Sequence, residues 1–230
     1  DSYHRYKEDI AMLKELGASA YRFSISWPRI MPTGRGEVNQ AGIDYYNNLI
    51  NGLLENGITP WVTLYHWDLP LALQLEIDGW LNRETAEHFA AYADICFENF
   101  GDRVKNWITF NEPWCTAVLG NGLGVFAPGR VSADEPYIVA HNQLLAHGMA
   151  VQVFRSKYKD QNGVIGITNN CDWREPLTDS QEDRDAAQRA LEFFFGWFTD
   201  PVVFGKYPDV MIERLGDRLP VFTDEEKAMM

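Results

Sequence analysis

The 230-residue chain is 46% hydrophobic and 13% aromatic with no low-complexity tract, which is material for one sizeable core and excludes a disordered or fibrous chain. Its 20 Lys and Arg against 33 Asp and Glu leave a formal charge of -13, which argues against nucleic acid or an anionic membrane as partner and favours a neutral small molecule. No apolar run approaches the roughly 18 residues that span a bilayer.

Asp1-Ser2-Tyr3-His4-Arg5 resembles neither a signal peptide nor an initiator segment, so the start reads as cut from a longer protein. Ile10, Leu13 and Leu16 keep one face of a helix before Gly17, and Ala20 to Ser26 follows as a strand. Tyr46, Leu49, Ile50, Leu53 and Leu54 repeat the helical pattern before Gly57, and Thr59 to Tyr65 is the next strand. Phe89, Ala93, Cys96, Phe97 and Phe100 do so again before Gly101, followed by a strand over Lys105 to Phe110. A helix over Tyr137 to Lys157 precedes the strand Gly163 to Thr168, and another helix covers Gln181 to Phe198. Thr223 and Glu226 form a capping box, so the chain stops inside a helix.

This βα alternation builds parallel sheets, closed or doubly wound. A doubly wound sheet usually carries a Gly-rich phosphate loop after its first strand, and Ser26-Trp27-Pro28-Arg29 is nothing of that kind. Strand starts recur roughly every 40 to 60 residues, so eight would need about 400 residues, within the range of large barrels. The expectation is an α/β fold: an incomplete (β/α)8 TIM barrel in which residues 1–230 form part of a single domain.

In such a barrel chemistry sits at the C-terminal tips of the strands. Thr109-Phe110-Asn111-Glu112-Pro113 holds a carboxylic acid where Pro113 ends a strand and biases Glu112 toward extended backbone. Asn111 offers an amide that both donates and accepts. At the preceding tip, Tyr65-His66-Trp67-Asp68-Leu69-Pro70 concentrates an imidazole and an indole, with His66 suited to substrate hydroxyls and Trp67 to a sugar face; Asp68 reads as a loop-stabilising side chain. Arg22 is a permanent cation inside an apolar strand, which calls for a buried anionic partner such as a second active-site carboxylate. Cys96, Cys115 and Cys171 fit neither a disulfide framework nor a metal-ligand pattern, and three reduced thiols with no targeting segment lean toward a cytoplasmic protein.

The strings Tyr21-Arg22-Phe23-Ser24-Ile25-Ser26-Trp27, Tyr65-His66-Trp67-Asp68-Leu69-Pro70 and Trp107-Ile108-Thr109-Phe110-Asn111-Glu112-Pro113 resemble those of the family 1 glycoside hydrolases, the β-glucosidase family. Asn170-Cys171-Asp172-Trp173-Arg174-Glu175-Pro176 and Phe195-Gly196-Trp197-Phe198-Thr199-Asp200-Pro201 extend the likeness over nearly the whole length. The resemblance implies a (β/α)8 barrel, of which the chain holds about strands two to five, and retaining hydrolysis of β-glycosides. It implies that Glu112 is the general acid/base and that Asn111 bonds the sugar 2-hydroxyl. His66 and Trp67 match sugar-binding positions, Arg22 the arginine beside the nucleophile, and Trp114 and Asn170 positions near the aglycone or the acid/base.

No metal or organic cofactor is implied. The family's nucleophile lies in a Thr-Glu-Asn-Gly-type string on a late strand, and no such string occurs here. The 230-residue chain alone is therefore expected to have negligible activity. Its partners are a β-glucoside or short β-linked oligosaccharide, and the complementary barrel half or a second copy at its open strand edges. Alternatives are a 6-phospho-β-glycosidase or transglycosidase of the same family, and a non-catalytic carbohydrate-binding half-barrel.

Overall fold

A computed structural model describes residues 1–230. Four strands, β1 (Ala20–Ser24), β2 (Thr59–Tyr65), β3 (Asn106–Asn111) and β4 (Val164–Thr168), form one sheet in that order, and every pairing is parallel. The helices, in chain order, are α1 (Ser2–Glu15), α2 (Trp27–Ile30), α3 (Gln40–Glu55), α4 (Leu71–Ile77), α5 (Glu84–Phe100), α6 (Glu135–Lys157), α7 (Gln181–Leu191), α8 (Trp197–Phe204), α9 (Asp209–Leu215) and α10 (Asp224–Met229).

Right-handed crossovers between neighbouring parallel strands return on the same side of the sheet. A strand order that never reverses therefore lays α3, α5 and α6 on one face, as in a barrel. A doubly wound sheet reverses at a switch point and covers both faces. The expected incomplete (β/α)8 barrel is what the chain forms, an open arc with free edges at β1 and β4.

Each expected strand is present within two residues of its sequence-read ends. The first stops at Ser24 instead of Ser26 because Pro28, free of any need to donate a backbone hydrogen bond, starts α2 at Trp27. Gly17 and Gly57 close α1 and α3 at φ +72, a left-handed conformation that costs glycine little. The single helix expected over Gln181 to Phe198 is broken. A π-helical turn, Glu192–Gly196, separates α7 from α8, which continues to Phe204. The capping box at Thr223 is formed, and Glu226 also pairs with Arg83 at the start of α5, fastening α10 to the barrel wall.

The core lies between sheet and helices. Trp27 is 0% exposed, stacks on Tyr92 at 5.2 Å between ring centroids, and meets Phe89 edge-on at 5.7 Å. The Tyr92 hydroxyl donates to the Leu64 carbonyl at 2.8 Å, so this aromatic layer is tied to the sheet by a satisfied polar tip.

Helix α6 is buried on most of its circumference because α5 and the C-terminal helices enclose it. Gln143 is buried with neither amide atom hydrogen-bonded, but other polar side chains of α6 find partners inside. Thr109 Oγ1 and His147 Nδ1 are 2.8 Å apart, Asn142 Nδ2 donates to the Trp80 carbonyl at 2.8 Å, and the Tyr207 hydroxyl is 2.9 Å from His141 Nδ1.

On β1, Tyr21 and Phe23 pack against the core while Arg22 between them points to the other face. Arg22 and its register partner Trp61 are both exposed there, on the concave side of the arc.

Candidate active site

The site grows from three adjacent strand tips. Asn111 is the last residue of β3 and Glu112 follows it; His66 and Trp67 follow β2; Asn170 lies two residues beyond β4. Parallel pairing brings all of these ends to one rim of the arc.

Asn111 links three strands and is 4% exposed. Its Oδ1 accepts from Arg22 Nη2 on β1 at 2.6 Å, and its backbone carbonyl accepts from Trp67 Nε1 at 2.8 Å. Arg22 Nε also donates to Thr63 Oγ1 at 3.0 Å. The anionic partner expected for Arg22 is not what holds it within this chain. Asn111 and Thr63 fix the guanidinium on the concave face of the arc.

Glu112 departs from the extended backbone expected before proline: its φ is +46. Two hydrogen bonds impose this. Its N–H donates to the Thr168 carbonyl at the end of β4 at 2.8 Å, and its own carbonyl accepts from the Cys115 N–H at 2.9 Å. The pairing of β3 with β4 shifts register between Ile108 and Asn111, the kind of irregularity that re-aims a side chain at a strand end. Trp67 also sits at positive φ, +74. Left-handed backbone in a residue with a side chain costs on the order of 1 kcal/mol or more, and here it falls on adjacent strand tips.

The Glu112 Oε2 accepts from the Cys115 thiol at 3.7 Å, and Asn170 Nδ2 donates to the same sulfur at 3.7 Å. His66 lies within electrostatic reach of both Arg22 and Glu112. Desolvation by its surroundings and then Arg22 lower its pKa, and Glu112 opposes them, so the imidazole is neutral at pH 7. Asp68 is largely enclosed, and burial raises its pKa against the opposing pull of the Ser26 hydroxyl and nearby backbone N–H groups.

The six sequence-read positions Arg22, His66, Trp67, Asn111, Glu112 and Asn170 are thus joined by direct contacts or proximity. Trp114 stands to one side, stacked on Phe194 of the π-helical turn at 4.3 Å and 19°. A cavity of about 280 Å³ opens beside Trp67, walled also by Tyr65, Trp80, Thr116 and Pro128. Sequence reading missed Thr63, Cys115, Phe126 and Phe194. Phe126 leans on Trp67 at 5.4 Å; Thr63, Phe126 and Phe194 owe their places to fold-level juxtapositions that no local spacing announces, whereas Cys115 stands three residues from Glu112. Glu55-Asn56-Gly57 repeats part of the expected nucleophile string, yet it closes helix α3 and stands at no strand tip.

The sequence model of Glycosyl hydrolase family 1 matches residues 1–230. The chain belongs to that family. Among similar proteins, Beta-glucosidase 42 of Arabidopsis thaliana is 57% identical over 234 residues, covering 100% of this chain and 48% of that protein. Among solved structures, a rice β-glucosidase superposes with a TM-score of 0.98 at 52% identity, covering 100% of this chain and 51% of that one. The β-glucosidase of Trichoderma harzianum gives 0.97 at 54% identity, covering 100% and 50%. The chain spans about half the length of the relatives it matches, and family 1 membership places its four strands in the (β/α)8 barrel.

Proposed function

We propose that these residues form the acid/base side of a retaining β-glucosidase, within a single (β/α)8 catalytic domain whose remaining strands supply the nucleophile. The observation that carries the reading is Glu112 at the tip of β3, bracketed by Asn111, His66 and Arg22. Relatives support it: a rice β-glucosidase has been solved in a covalent complex with Glc, and one from Humicola insolens in complex with glucose.

In retaining hydrolysis one carboxyl protonates the leaving oxygen while a second, about 5 to 5.5 Å away, attacks the anomeric carbon. Glu112 gives its proton to the departing alcohol. The glycosyl group passes to the second carboxylate, and Glu112, now ionised, takes a proton from the water that releases the sugar. Asn111 spends Oδ1 on Arg22, which leaves Nδ2 as donor to a sugar hydroxyl. Neutral His66 can donate or accept from the same side. The indole N–H of Trp67 is spent on Asn111, so Trp67 offers its ring.

The second carboxylate belongs to the barrel strands beyond this half. The 230-residue chain alone accordingly releases negligible p-nitrophenol from p-nitrophenyl β-glucoside. A polypeptide joining it to the remaining strands hydrolyses that glucoside, and proton NMR of the first product shows the β-anomer. A first-formed α-anomer, or full activity of the chain by itself, contradicts the assignment.

A further inference from the structure

We propose that Cys115 is a positioning residue for Glu112: its thiol proton donates to Oε2 and so leaves Oε1 to face the leaving group. The inference rests on Glu112 being the proton donor.

Cys115 opens the π-helical turn Cys115–Gly120, three residues beyond Glu112, and the N–H to C=O bond between the two residues at 2.9 Å turns the thiol back toward the carboxyl. Cys115 is 6% exposed. Burial and then the neighbouring Glu112 push its pKa up to about 11, so at neutral pH the sulfur carries its hydrogen and acts as a donor. Asn170 Nδ2, arriving from beyond β4, donates to the sulfur at 3.7 Å, which orders the relay as Asn170 N–H to sulfur and S–H to Oε2. The sulfur thus joins the tips of β3 and β4 a second time, beside the Glu112 N–H bond to Thr168.

The element matters. A thiol is a weak donor, and donors to a carboxylate favour its ionised form. Sulfur can hold the orientation of Glu112 while stabilising the carboxylate less than a hydroxyl would, and an acid/base group must regain its proton in each cycle. Neither other cysteine shares this placement: Cys96 is buried against Tyr92, and Cys171 is exposed.

The S–H stretching band of the 230-residue chain tests the contact without requiring catalysis. The Cys115 component is the band lost in Cys115→Ser, a nearly isosteric change, with Cys115→Ala as a second assignment. The band is expected to shift in Glu112→Gln, where an amide replaces the carboxyl that accepts from the thiol. A Cys115 band unchanged in Glu112→Gln overturns the proposal.

In the polypeptide carrying the remaining strands, Cys115→Ala should lower kcat on p-nitrophenyl β-glucoside about three- to tenfold, the scale of one net hydrogen bond, with KM unchanged. Cys115→Ser should restore the orientation and recover part of that loss, the hydroxyl favouring ionised Glu112 more than the thiol does. Equal losses in both variants, or a loss confined to KM, contradict it. A responsive band in a protein that hydrolyses no glycoside removes the glycosidase reading and leaves the thiol contact standing, whereas hydrolysis with an unresponsive band does the reverse.

Discussion

On its convex side the sheet seals Val62, Leu64 and Trp107 beneath helices, whereas on its concave side Arg22 and Trp61 stand open to solvent and the rim carries His66 and Glu112. Alternation along each strand produces both faces from the same few residues: Tyr21 and Phe23 go to the core, and Arg22 between them goes to the site. Stability and chemistry are therefore separated by one residue of register. Substitutions on one face should leave the other nearly untouched.

The largest test of that separation is Trp27→Ala. Removing this fully buried ring from its stack with Tyr92 and Phe89 should cost about 3 to 5 kcal/mol in chemical denaturation. A loss below about 1 kcal/mol, smaller than core truncations give, would mean that the convex face does not carry the stability.

Acidification comes next. Burial holds His141 and His147 down at about 4 in the folded chain, while the unfolded chain binds those protons near 6.5. Between those values the unfolded state carries more protons, so stability falls as pH drops from about 6.5 to about 4. The denaturation midpoint should fall across that window, and His147→Gln should flatten the dependence. An unchanged slope in that variant would exclude His147 as a source.

The smallest effect belongs to the concave face. Trp61→Ala, at a ring 41% exposed, should change stability by less than about 1 kcal/mol. A loss comparable to that of Trp27→Ala would erase the distinction between the faces.

The strands were legible because each is a short β-branched and aromatic run ended by a breaker, and two of the helix stops because Gly17 and Gly57 take the left-handed backbone that a helix end demands. Glu112 was legible through its position before Pro113. Its backbone was not, since the hydrogen bonds from Glu112 to Thr168 and from Cys115 back to Glu112 outweigh the local bias of a residue before proline. Arg22 was legible as a cation out of place in an apolar strand, whereas its bonds to Thr63 and Asn111 depend on sheet pairing that no local pattern shows. Helix α6 hid its role because enclosure on several sides leaves no single apolar stripe, and the π-helical turn after α7 leaves no mark that periodicity can detect.

Glu112 is the proposed donor of the proton to the departing oxygen, and a leaving-group series reads that role directly. In the polypeptide carrying all barrel strands, Glu112→Gln should lower kcat/KM on alkyl β-glucosides by roughly 10² to 10⁴, the usual worth of a general acid, because an alkoxide cannot leave unprotonated. On 2,4-dinitrophenyl β-glucoside, whose phenolate leaves without a proton, kcat/KM should fall far less. An equal loss on both substrates, or none on either, would contradict proton donation by Glu112.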